Sequence, residues 1–495
     1  MIRTPLLLRP GIGGPRDGRK RRYLLRCAPF LGLLTLSLLC AFTSLAQSQP
    51  IPPPTVSGTV TIGLSRGALS GDLCLAPEVA HDTLTVVLNR SLSITATRGG
   101  RYLPGLSVEQ PGGAAIRHRV LRTGTGSAEH DPVCIVYEGV EPVHDVRHGS
   151  FRETDASEVI AFNGTTVRAR GAARWYPAIY DPATGLTSES ASFRITVRCE
   201  ECGYIYLNGA APTPGPLATL EASGRRELLL LAGDFPIHQV PGALVLGDAS
   251  PRDSIVAFVE TLTRIRWFQE RFLGVPFGND LVLLRVDPVR RPKKGLLWGF
   301  YSHPTLSLLG MSMSEFIAAL DKPTGSERRS IFGLLGHELG HRYFAWTLGW
   351  RSPQRDLFGE PFASYLELKT LRHFLGERTY RRALRSLVRR VRTGETPVPL
   401  SRSTAADYAY DSYRYGYAPL QLLALETIIG EIRMTSLLKA MLEAPEAERA
   451  VADFDFIRRT ALGVGVTAEE WTKWVRECVE TAPRESRCLD RVAEP

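Results

Sequence analysis

The chain has 495 residues, 44% hydrophobic and 22% charged, with a formal net charge of +9. That length holds two or three ordinary domains, and the near-average composition excludes long disorder and a protein of many membrane spans. The charge sits at one end: residues 1–46 carry Arg3, Arg9, Arg16, Arg19, Lys20, Arg21, Arg22 and Arg26 against Asp17 alone. The remainder is nearly balanced, so no nucleic acid or other polyanion is expected as a partner.

In chain order, the basic run gives way to an apolar stretch from Cys27 to Leu45, with Ser44 and Ala46 as small residues before Gln47. This is the layout of an export signal over residues 1–46. The stretch is also nearly long enough to stay as an anchor, and membrane contact is expected only if it remains uncleaved. Residues 47–57 follow as a Pro-rich linker with Pro50, Pro52, Pro53 and Pro54. The bulk of the chain is therefore expected outside the cytoplasm, periplasmic or extracellular. Beyond the leader, which holds Cys27 and Cys40, six cysteines remain. In an oxidising compartment the simplest pairing joins neighbours: Cys74 with Cys134, Cys199 with Cys202, and Cys478 with Cys488.

Residues 58–246 read as a β domain of sandwich type, with short alternating runs such as Leu84, Val86, Leu88 and Phe193, Ile195, Val197 between turn residues. From 247 to 495 helical spacing dominates. Ser250-Pro251 looks like a helix start, Ile255, Phe258, Val259, Leu262 and Ile265 follow, and Gly274 ends the segment. Strands are expected at Leu281–Leu284 and Leu296–Tyr301, then helices around 327–348, 360–375, 377–392, 416–443 and 468–480. Seven arginines between Arg378 and Arg392 read as a solvated helix face.

The chemistry lies at His337-Glu338-Leu339-Gly340-His341. Four residues make about one helical turn, so both imidazoles leave the same face and can reach one Zn²⁺. Glu338 stands beside them as a general base for water. A catalytic zinc needs a third protein ligand and an open position. Eighteen residues after His341 comes Glu360, opening Glu360-Pro361-Phe362-Ala363-Ser364-Tyr365-Leu366-Glu367.

Here the sequence resembles the gluzincin metallopeptidases, in particular the membrane-alanyl-aminopeptidase and leukotriene-hydrolase family, which places its glutamate ligand at this spacing in a segment N-E-G-F-A-x-Y-x-E. Gly359 and Pro361 depart from that pattern. Trp175-Tyr176-Pro177, Phe272–Phe277 and Tyr413-Arg414-Tyr415-Gly416 also resemble family segments. The resemblance implies an α+β multidomain fold, with an N-terminal all-β saddle followed by a thermolysin-like, mainly helical catalytic domain. It implies one Zn²⁺ per chain on His337, His341 and Glu360, with Tyr413 as the oxyanion donor and Tyr415 the next candidate. Glu367 would orient a zinc-bound histidine.

The expected activity is hydrolysis of a peptide or protein substrate. Two rival readings remain: a weakly active or inactive peptide-binding relative, and a zinc hydrolase of a non-peptide amide, ester or epoxide. The aminopeptidases carry a G-x-M-E-N segment whose glutamate binds the substrate's free amine. The corresponding stretch here, Gly295 to Pro304, has no carboxylate. Strict N-terminal trimming is therefore not expected, and Leu296, Leu297 and Trp298 are expected to accept extended substrate backbone. Glu315 or an acid of the β domain could still supply the amine site. Oligomeric state is not legible.

Overall fold

Residues 190–198 show why the first half is built of strands. Phe193, Ile195 and Val197 alternate with polar neighbours, and the strand Ser190–Arg198 buries all three on one side. The computed structural model describes residues 53–77, 82–109, 114–123, 132–145, 158–278, 281–286, 297–322, 325–393, 398–402, 412–482 and 486–493. The expected leader and most of the Pro-rich linker lie outside them. Among the described residues no helix is long and apolar enough to cross a membrane.

Up to Gly233 the described strands form three mostly antiparallel sheets. One runs in the order 217–227, 190–198, 55–63, 68–76, 133–140, 92–98, with 55–63 and 190–198 as its parallel pair. Trp175, Tyr137 and Phe162 fill the core between sheets, and the Trp175 indole donates to the Leu228 carbonyl at 2.8 Å. All three expected disulfides are present. Cys74 and Cys134 face each other across adjacent antiparallel strands.

A five-stranded mixed sheet begins the second part, in the order 237–240, 243–246, 281–285, 305–309, 298–302. The hairpin Ile237–Leu246 therefore belongs to this sheet, through the parallel pairing of 243–246 with 281–285. The change between parts falls before that hairpin rather than at the expected 246. Among the described residues, Trp298–Ser302 is the outer strand and pairs with Thr305–Leu309.

Helices cover the rest. Arg252–Leu273 buries Ile255, Phe258, Val259, Leu262 and Ile265, and Gly274 closes it at φ +66°. Ser250 does not cap this helix; its hydroxyl accepts from the Ser314 amide at 3.1 Å instead. The long helix Glu360–Thr393 is interrupted at Gly376, where φ is +80°, so it matches the two expected segments. Arg378 to Arg392 lie on its exposed face, Arg381 pairing with Glu377 and Arg392 with Asp490. Gly430 likewise divides Ala418–Ile429 from Glu431–Glu443.

The two parts share a buried seam. Tyr206, Leu229, Leu231 and Phe235 pack against Leu246, Leu284, Phe300 and Leu309. Through it runs a polar thread: Asn208 donates to the carbonyls of Ser302 and His303, both at 3.0 Å, and accepts from the Thr305 hydroxyl at 2.6 Å. Glu227 accepts from the Ser302 hydroxyl. Buried polar groups this fully matched fix the register of the seam.

Candidate metal centre and cleft

The helix Ser326–His341 drives Ile331, Phe332, Leu335 and Leu339 into the core, while His337, Glu338 and His341 leave it on one buried face. Gly349 then turns the chain at φ +69°, and a Cβ there would come within 2.9 Å of Phe358. Only glycine allows that return, which delivers the short helix Arg355–Phe358 and then Glu360. Pro361 sits in the first turn of the helix, where a missing N–H is harmless, so this departure from the family segment costs nothing locally.

Close packing brings the two helices together. A Cβ on Gly333 would stand 2.9 Å from Glu367, one on Gly336 2.7 Å from Thr370, and one on Gly340 3.2 Å from the Ala363 backbone. With glycine at these positions, Glu360 reaches both imidazoles.

Glu360 Oε2 lies 2.8 Å from His337 Nε2 and 3.4 Å from His341 Nε2, with the two rings perpendicular and 4.7 Å apart. The ligand atoms of all three lie within 4.8 Å of one another. Glu367 Oε2 is 3.7 Å and Ser364 Oγ 3.4 Å from the far nitrogen, His337 Nδ1. Glu338 Oε2 is buried with no hydrogen-bond partner among the described residues, and so is His341 Nδ1. Two imidazole nitrogens and one carboxylate aimed at a single point suit Zn²⁺, and a partnerless buried carboxylate beside them suits a base awaiting water.

Charge reinforces that geometry. Burial alone would depress His337, but Glu360, Glu367 and Glu338 outweigh it and hold the imidazole well above its usual pKa. Burial likewise opposes ionisation of Glu360, yet His341 and His337 keep it well below the carboxylate range. In Glu338 burial wins over both histidines and raises the carboxyl.

The trio lies in a cleft of about 620 Å³ between the two parts. Its walls include Trp298, Gly299, Phe300 and Tyr301 of the outer strand, and a Cβ on Gly299 would lie 3.4 Å from Glu338 Cγ. Trp346 ties this strand to the site by donating to the Tyr301 carbonyl at 3.1 Å. Of the expected backbone-binding residues, Trp298 lines the cleft, Leu297 packs against the core instead, and Leu296 lies outside the described residues.

The two tyrosine candidates are placed differently. Tyr413 is fully buried, stacks edge-on against Tyr417 at 5.5 Å and does not line the cleft. Tyr415 does, with its ring 5.6 Å from that of His337. Glu315 caps the helix Met313–Leu320 in a reciprocal box with Ser312 and does not line the cleft. Asp181 and Glu189 of the β part do line it. His303 bonds to the Tyr301 hydroxyl at 3.0 Å and stays structural; burial, with Arg342 and Arg226, pushes its pKa down to about 3. Sequence reasoning missed the arginines of the wall: Arg170, Arg225, Arg351, Arg355 and Arg414. They come from four stretches of the chain, and among them only Arg414 lies within a recognised motif.

No protein-family model matches the sequence, and no curated protein does. Solved structures do. The M1 zinc metallopeptidase of Deinococcus radiodurans is 15% identical, with a TM-score of 0.55 over 87% of this chain and 94% of that one. A mutant of it, bound to a Tyr-Ser-Ala substrate, is 14% identical with a TM-score of 0.51 over 90% and 94%. Yeast LTA4 hydrolase in complex with bestatin is 13% identical, with a TM-score of 0.61 over 86% of this chain and 67% of that one. The fold of this chain is the one these zinc peptidases and LTA4 hydrolase share, a β-sheet part followed by a helical part.

Proposed function

We propose that this chain is an exported zinc-dependent peptidase. The observation that carries the reading is the convergence of His337, His341 and Glu360 on one point beside the partnerless Glu338 oxygen, at the floor of an open cleft. Zn²⁺ bound there would supply Lewis-acid polarisation and acidify water. Glu338 takes the proton of the attacking water and returns it to the leaving amine. Burial, outweighing the two histidines, holds its carboxyl above the usual carboxylate range, which favours taking up that proton. Tyr415 offers its phenol to the carbonyl oxygen as negative charge develops there. Glu367 and Ser364 hold His337 from behind through Nδ1. The strand Trp298–Ser302 lines the cleft beside Glu338, where extended substrate backbone can lie along it.

The Tyr-Ser-Ala peptide bound by the Deinococcus protein supports a peptide substrate, and the three disulfides support export. The outer strand offers no acid to a free α-amine, which favours cleavage that does not depend on a free N-terminus. A peptide-library digest read by mass spectrometry tests all of this, with Glu338→Gln and chelator controls. Chelator-sensitive hydrolysis that Glu338→Gln abolishes upholds the reading, and no metal in the purified protein overturns it. Comparing a free-amine peptide with its N-acetylated twin decides the mode: loss of cleavage on acetylation would make it an aminopeptidase.

A further inference from the structure

The strand Trp298–Ser302 passes Glu338 at close range. A Cβ on Gly299 would stand 3.4 Å from Glu338 Cγ and 3.0 Å from the Ser307 carbonyl oxygen, which leaves little slack. The helical part holds the strand there through Trp346, which donates to the Tyr301 carbonyl at 3.1 Å. The β part holds it at the residues on either side of Tyr301. The Arg170 guanidinium lies 4.0 Å over the Phe300 ring, and the Ser302 hydroxyl donates to Glu227.

Both of these holds meet in one carboxylate. Glu227 ends the strand Leu217–Glu227 and is fully buried. Its Oε1 accepts from Arg170 Nε at 3.0 Å and from the Gly171 amide at 3.1 Å. Its Oε2 accepts from Arg170 Nη2 at 3.2 Å and from the Ser302 hydroxyl. A Cβ on Gly171 would come within 3.1 Å of Glu227 Cγ, so glycine there leaves the carboxylate room. Burying a carboxylate is costly unless it is paired and hydrogen-bonded, and here four donors converge on it. The guanidinium is planar, so forking it onto Glu227 also fixes the plane that stacks on Phe300. The backbone adds to the grip: Asn208 Nδ2 donates to the Glu227 carbonyl at 3.2 Å and to that of Ser302 at 3.0 Å.

We infer that Arg170 and Glu227 are positioning residues: the pair seats the strand Trp298–Ser302 against Glu338 and so sets how substrate backbone lies in the cleft. Its effect on turnover rests on the peptidase reading, but the seating itself is measurable without substrate. An ion pair serving stability alone would behave differently. Replacing both partners of a buried pair by neutral groups of similar size often preserves stability, whereas removing one does not. Glu227→Gln, Arg170→Lys and the double variant Arg170→Met/Glu227→Gln therefore separate the roles. Each zinc-loaded protein is compared with wild type by thermal melting, hydrogen exchange of residues 298–302, and kinetics on a peptide that wild type cleaves. The double variant should regain most of the Tm lost in Glu227→Gln. Its residues 298–302 should still exchange about tenfold faster, and its KM should stay about tenfold higher, with kcat within about threefold and zinc content unchanged. Arg170→Lys keeps the charge without the fork, so KM and exchange should rise as far while Tm barely moves; it decides the matter should the double variant melt early. Wild-type KM and exchange in Arg170→Lys, or their recovery along with Tm in the double variant, overturns the inference. If peptides are cleaved and every variant matches wild type, the seating falls and the peptidase reading stands. If wild type cleaves nothing, the peptidase reading falls and exchange alone decides the seating: faster exchange upholds it, and unchanged exchange overturns it.

Discussion

Gly336 and Thr370 touch so closely that a Cβ on the glycine would meet the threonine Cβ at 2.7 Å. The contact sets the spacing of the helices that carry the histidines and Glu360. Gly336→Val should therefore force them apart, destabilising the protein by about 1–3 kcal/mol. Zinc affinity should fall although no ligand has changed. Thermal melts with and without zinc test this, and an unaltered metal-dependent gain in Tm would refute it.

The ligand roles separate by metal content. His337→Ala with His341→Ala should abolish stoichiometric zinc. Glu338→Gln should keep the metal and lose about 10²–10⁴ in kcat, the usual worth of a positioned base. Elemental analysis beside kinetics distinguishes the two classes.

Two tyrosines two residues apart should behave differently. Tyr415→Phe is expected to lower kcat about 10–100-fold with little change in KM, since its phenol would act only in the transition state. Tyr413→Phe should leave kcat nearly intact, because that side chain is buried away from the cleft. The opposite pattern would return the role to Tyr413.

His303 predicts part of the acid response. Its imidazole is neutral in the fold down to about pH 3, whereas the unfolded chain takes up the proton near the ordinary histidine pKa of 6.5. Between those values the unfolded state binds more protons, so this residue's share of stability is complete above pH 6.5 and drains away as pH falls. The slope approaches about 1.4 kcal/mol per pH unit. His303→Gln should flatten the urea-stability profile across that window relative to wild type.

Asn208 joins the two parts through backbone carbonyls of the outer hairpin. Asn208→Ala strands those acceptors and should cost about 1–3 kcal/mol. Because Ser302 and His303 end the strand that flanks Glu338, KM should rise more than kcat falls. Steady-state kinetics on one peptide would show it.

How much of this was legible beforehand depended on periodicity. His337, Glu338 and His341 obey the helical repeat, so their common face could be read directly, and Glu360 followed from the family spacing. The tyrosines could not be phased. The family pattern named Tyr413 by its place before the glycine, which does not say which tyrosine of the π turn 413–417 faces the cleft. The hairpin 237–246 looked like more of the β domain because local sequence does not tell a strand which sheet it joins. The arginines of the cleft were invisible for a related reason: Arg170, Arg225 and Arg351 are neighbours only after the two parts meet.

The cystine at the far end of the chain bears on the same turn. Tyr417, its last residue, donates to the carbonyls of Cys478 and Thr481, both at 3.0 Å, and Cys478 is bonded to Cys488. The turn that carries Tyr415 is thus tied, through Tyr417, to the backbone of a half-cystine some sixty residues downstream. If Tyr415 serves as proposed, reducing the Cys478–Cys488 bond is expected to lower kcat more than it lowers zinc content, and kinetics beside elemental analysis with and without a thiol reductant would show it.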